Sequence, residues 1–200
     1  MKSIHYYSGI LIALFTGLHI LNHLLILHSA ERHIRFMTRA RKIYRNRFIE
    51  TLLLTAVLVQ VITGITLVIE KWNKTENYFE VIQVMSGLYL SFFLLVHVSA
   101  VLTGRYKLKL DTNLYFGAGV MLHWPQKLFF IPYYSLAIVS FFFHIATVHK
   151  SKMEDWVSPS NAATQAIVIM IVGVFTMLAI ITRMTALKMP SGKPASQENV

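Results

Sequence analysis

The segment from Phe79 to Thr103 reads FEVIQVMSGLYLSFFLLVHVSAVLT, and it decides the fold class. Its single acid, Glu80, stands at the near end, and no other charged residue follows through Thr103. A bilayer core about 30 Å thick is crossed by roughly 20 apolar residues in a helix, so the segment has the length and character of a membrane span. Inside it lies His97. An ionisable, metal-liganding side chain at membrane depth is costly and ordinarily functional.

Four more stretches share this character: Tyr6 to His28, Phe48 to Ile69, Lys127 to Val148 and Ala163 to Thr185. With 55% hydrophobic and 14% charged residues, the 200-residue chain departs from soluble composition. The expectation is all-α: one integral membrane bundle of five transmembrane helices over residues 1–188, then a disordered tail over 189–200 with Pro190 and Pro194. The first span is read as a retained helix rather than a signal peptide, since no small-residue cleavage site follows it and it carries His19, Asn22 and His23. The spans leave no room for a soluble catalytic domain, so flavin or iron–sulfur chemistry has to come from partner subunits. The chain has no cysteine, which excludes thiolate cluster ligation and c-type haem attachment.

Charge sets the expected topology. Fourteen of the 19 Lys and Arg fall on one side of a five-span chain. They are Arg32, Arg35, Arg39, Arg41, Lys42, Arg45 and Arg47 in the first connection; Arg105, Lys107, Lys109 and Lys127 around the third; and Arg183, Lys188 and Lys193 at the end. The remaining five are Lys2, Lys71, Lys74, Lys150 and Lys152. The positive-inside rule then predicts an outside N-terminus and a cytoplasmic C-terminus. A net charge of +10 distributed in this way reads as topology and contact with anionic membrane lipid, not as nucleic-acid binding.

Two spans repeat one phrase. Ser8-Gly9 leads through Phe15 to His19, and Ser86-Gly87 leads through Phe93 to His97, each histidine ten residues after its glycine. On helices running the same way, both histidines lie about 15 Å below their glycines, at matching depth. That is what two axial ligands of one haem iron require, so His19 and His97 are the expected metal ligands. His23 lies one turn below His19 and is a candidate to orient a propionate or replace a ligand. His144, late in the fourth span, is a weaker candidate ligand; the alternatives are a bond to Gln60 or the lining of a quinone pocket. Arg105 and Lys107, just beyond His97, are placed to neutralise propionates. Gln60, Ser86 and His144 are polar groups able to meet a quinone oxygen. His5, His28, His33, His123 and His149 read as solvated residues at span ends or in loops. No Asp or Glu lies mid-span and no lysine lies inside a span, which disfavours a proton-coupled transporter and a retinal protein.

These residues together resemble the five-helix cytochrome b membrane subunit of succinate dehydrogenases and fumarate reductases. The likeness runs over about residues 6 to 185 and rests on Ser8-Gly9…His19, Glu50…Gln60…Gly64, Ser86-Gly87…His97 and Phe143-His144. In the dihaem members the first and third helices ligate one haem, and the second and fourth ligate another. The resemblance therefore implies haem b between His19 and His97. Gln60 stands where the family has a histidine, which narrows the expectation from two haems to one. Tyr6-Tyr7 stand where the family often has an arginine, and the charge count inverts its usual orientation. The implied function is electron transfer between a membrane quinone and redox partner subunits of the flavoprotein or iron–sulfur type, in a bacterial inner membrane. The alternative is a haem-free membrane anchor or scaffold whose histidines pack helices.

Overall fold

The computed structural model describes residues 1–72 and 74–189; of the tail expected over 189–200, residues 190–200 lie outside them, as does Asn73. Seven α-helices follow in order: α1 (Lys2–Leu24), α2 (Ala30–Tyr44), α3 (Arg47–Lys71), α4 (Tyr78–Leu102), α5 (Leu114–Leu122), α6 (Lys127–Met153) and α7 (Pro159–Thr185). A 3₁₀ turn over Leu25–Leu27 extends α1, and a π-helical turn over Thr103–Lys107 extends α4. Strands are absent among the described residues. The chain is all-α, and α1, α3, α4, α6 and α7 are long and apolar enough to cross a membrane.

Local chemistry sets the helix starts. Ser29, Asn46, Asn77, Asn113 and Ser158 each stand at an N-cap and accept a backbone N–H of the first turn. Ser158 is followed by Pro159, whose fixed φ suits the first helical position. Pro132 lies inside α6, more than a turn after its start at Lys127.

Helices α1, α4 and α7 run one way and α3 and α6 the other. The end where α1 begins is termed upper. Helix α1 packs on α3, α3 on α4, α4 on α6 and α6 on α7, and α7 closes back on α1 and its terminal 3₁₀ turn. Large apolar residues point outward on all five long helices: Leu14, Leu58, Ile62, Leu95, Leu136 and Phe175 are exposed. Water would penalise such a surface, and lipid does not. Trp72 and Trp156 flank one end and Trp124 the other, all exposed, in the manner of interfacial anchors. This is a multi-pass membrane architecture.

The lower end is closed by two helices. The first connection, read from sequence only as a run of positive charge, folds as amphipathic α2, with His33 and Met37 buried. Within the connection from Arg105 to Gln126, Leu114, Ala118 and Met121 of α5 are fully buried against Ile20, Ile26, Ile180, Ile181 and Met184. Arg41 of α2 binds Asp111 at 2.6 Å and Arg45 binds the Thr112 hydroxyl at 3.0 Å, tying the two floor segments together. The packed core therefore sits low in the molecule.

Candidate cofactor cavity

Above that floor the ring is hollow. A cavity of about 1230 Å³ runs between the helices, from Lys2, Lys71 and Lys152 at its upper mouth to Arg45, Glu50 and Arg105 below. Its polar groups form two tiers.

The lower tier holds His19, His23 and His97. The His19 and His97 ring centroids are 6.4 Å apart, so α1 and α4 present their histidines to each other at one level. Each ring stacks on the phenylalanine one turn earlier in its own helix, His19 on Phe15 and His97 on Phe93, both at an interplanar angle of 12°. The repeated phrase therefore contains its own device for orienting the imidazole. His23 Nε2 lies 3.2 Å from His19 Nε2, so one ring donates to the other there. His33 extends the group downward, its ring 5.1 Å from that of His23 and its Nε2 3.3 Å from Asn22 Nδ2. The reading of His33 as a solvated residue is corrected: it is 1% exposed, because α2 folds back under the bundle.

The upper tier shows what the Ser-Gly pairs do. Ser8 donates to Gln60 Oε1 at 2.7 Å, and a Cβ on Gly9 would come within 3.3 Å of the Gln60 amide. Ser86 Oγ lies 3.3 Å from His144 Nδ1, and a Cβ on Gly87 would come within 3.1 Å of the His144 ring. Each pair is a notch that seats one polar side chain of the neighbouring antiparallel helix. Gln60 and His144 thus occupy corresponding positions and do not bond to each other. His144 Nδ1 is 3.2 Å from the Gln83 carbonyl, which only accepts, so the neutral ring carries its proton on Nδ1. Its Nε2 retains a lone pair in a side chain that lines the cavity. Anchoring one ring nitrogen to a carbonyl is how metal-ligating and proton-accepting histidines are commonly oriented.

His5 was missed by sequence reasoning. It is half-buried and reaches into the upper tier, with Nδ1 2.9 Å from Thr63 Oγ1 and Nε2 3.1 Å from Gln60 Nε2. Thr63 donates to the Val59 carbonyl, so it accepts from His5. A single chain of donors results, from Ser8 to Gln60, His5, Thr63 and the Val59 carbonyl. Both ends of the Gln60 amide are engaged within it, and Ser86 is engaged with the Ile82 carbonyl and His144. Of the three groups considered for a quinone oxygen, only His144 keeps a ring nitrogen without a hydrogen bond.

Arg105 is at the lower mouth, as its position in sequence implies, but its charge is already matched. It binds Glu50 at 2.7 Å and contacts the Tyr106 hydroxyl. Lys107 is exposed and does not line the cavity.

The chemistry of this donor set bears on what it can hold. No three His, Asp or Glu side chains converge as a metal-binding group among the described residues. A macrocycle that brings its own equatorial nitrogens needs only two axial ligands. Two imidazoles on opposite sides of one ion, each bonded at about 2 Å, have ring centroids roughly 6 Å apart. The 6.4 Å separation of His19 and His97 matches that distance, with His19 Nε2 held by His23, and the cavity around the pair has the volume for a large apolar ligand. No protein-family model, curated protein or solved structure matches the chain.

Proposed function

We propose that the chain is a b-type haem electron-transfer subunit of a membrane oxidoreductase, resembling the cytochrome b subunit of succinate dehydrogenases and fumarate reductases. The observation that carries the proposal is the facing pair His19 and His97, 6.4 Å apart inside the cavity. Bound between them, haem supplies one-electron redox chemistry. The protein's part is to hold both imidazoles, fix their planes with Phe15 and Phe93, and surround the site with Val, Leu and Ile that lower the local dielectric. His23 holds His19 Nε2 at 3.2 Å, so ligation through that nitrogen would replace this hydrogen bond.

The quinone belongs to the upper tier in this reading, with His144 Nε2 as acceptor for a quinol hydroxyl. Redox partners of the flavoprotein or iron–sulfur type dock at an end of the bundle. The lower end, bearing α2, α5 and most of the positive charge, faces the cytoplasm of a bacterial cell by the positive-inside rule.

The test is an optical spectrum of protein expressed with haem supplied. A Soret band and a reduced α-band near the b-type position are expected. His19→Ala or His97→Ala should abolish both bands, and His144→Ala should leave them unchanged. A folded but colourless preparation overturns the cytochrome reading in favour of a haem-free anchor or scaffold.

A further inference from the structure

Among the described residues, the buried side-chain nitrogens and oxygens that lack a hydrogen-bond partner all lie at the lower end: Asn22 Oδ1, His23 Nδ1, His33 Nδ1, Arg41 Nε and Arg45 Nε. Unsatisfied buried polar groups are rare in native proteins, and a concentration of them marks a place where water or a ligand belongs.

The arginines there are not equivalent. Arg41 is paired with Asp111 at 2.6 Å and Arg105 with Glu50 at 2.7 Å. Arg45 has no carboxylate partner among the described residues; it has only the Thr112 hydroxyl. It sits one helical turn beyond Arg41, and its guanidinium is pulled below its ordinary pKa first by burial and then by repulsion from Arg41. A guanidinium stays charged even so, and this half-buried one, without a carboxylate partner, calls for an anion. Arg45 also lines the cavity, below His19 and His97. The walls above it are apolar apart from imidazoles and a few small polar groups. An occupant matched to this space has a large apolar body and an anionic group at its lower end.

We propose that Arg45 binds a carboxylate of the molecule held in the cavity, forming the charged foot of a site whose upper part is the His19–His97 pair. This rests on the cavity being the cofactor site proposed above, and it transfers to Arg45 the role that sequence position gave to Arg105 and Lys107. The planar fork of Arg45 suits a carboxylate.

The experiment compares ferric protoporphyrin IX with its dimethyl ester, titrated into haem-depleted full-length protein in detergent and read by the Soret band. The free acid should bind about tenfold to a hundredfold more tightly than the ester, the usual scale for a charge-assisted hydrogen bond. Arg45→Gln should erase that preference while still forming a Soret band, and Lys107→Gln should keep it. Equal binding of acid and ester by the unaltered protein, or a preference that survives in Arg45→Gln, overturns the proposal. A second probe separates this from failure of the haem reading. Pyrenebutyrate should bind more tightly than its methyl ester, read by pyrene fluorescence, with the same dependence on Arg45. Arg45-dependent discrimination with pyrene but no Soret band with either porphyrin supports the carboxylate site and removes the haem. No discrimination with either pair of probes overturns the carboxylate site.

Discussion

His33 is buried on the inward face of α2, against His23 and Asn22 of α1 and one face with Arg41. Burial first, and then the neighbouring His19 and Arg41, push its pKa down to about 4. An unfolded histidine titrates near 6.5. Between those values the unfolded chain binds more protons than the folded one, so the titration of His33 leaves stability unchanged above pH 6.5 and progressively opposes folding as pH falls toward 4. The apparent melting temperature in detergent should therefore drop across that window, and His33→Gln should flatten the drop; an unchanged profile in the variant would remove His33 as its source. Nothing local in the sequence marked this residue as buried, since Arg32 and Arg35 flank it and the burial is created by α2 folding under α1. The Ser-Gly phrase misled differently. Its spacing to histidine runs along one helix, whereas its hydrogen bonds run across helices to Gln60 and His144, 52 and 58 residues away. The histidine level was legible because depth follows from rise per residue. The seat of Arg45 was not, because which arginine lacks a carboxylate depends on where Glu50 and Asp111 arrive in space.

At the scale of elements, the five spans could be read from apolar length alone, since backbone in lipid must bond within its own segment. Helix α2 was legible only through its cap: Ser29, then Ala30 and Glu31 in the first turn, and Arg41 and Lys42 in the last, complement a helix dipole at both ends. A count of positive charge alone hides that pattern. The most extensive helix contact, α6 on α7, has Gly173 within it. A Cβ there would stand 2.4 Å from the Phe142 Cβ, with other Phe142 atoms at 2.7 and 3.1 Å. Small residues at a contact let membrane helices approach and gain dispersion energy along their length. Gly173→Ala should therefore destabilise the protein by about 1–3 kcal/mol, as overpacking does, seen as a lower unfolding midpoint in detergent. The double variant Gly173→Ala with Phe142→Ala should recover part of that loss. Additive losses instead would show that the two sites are not in contact.

On the scale of the whole molecule, charge and architecture agree on an axis. The lower end carries α2, α5 and the basic loops, and the upper end carries Lys2, Lys71, Lys74, Lys150 and Lys152. A green fluorescent reporter fused after Val200 should fluoresce, as expected of a cytoplasmic C-terminus, and an alkaline phosphatase fusion at the same place should be inactive. The opposite pair of results would invert the bundle and exchange the faces offered to redox partners. Fold class and span order follow from hydropathy, but the hollow between the helices does not. It arises because α1, α3, α4, α6 and α7 meet as a ring instead of collapsing on a shared axis. That hollow makes volume a thermodynamic variable for this protein. Closely packed interiors resist compression, whereas a chain built around about 1230 Å³ of internal space changes volume when that space is filled or lost. The filled bundle resists hydrostatic pressure, and the empty one yields to it.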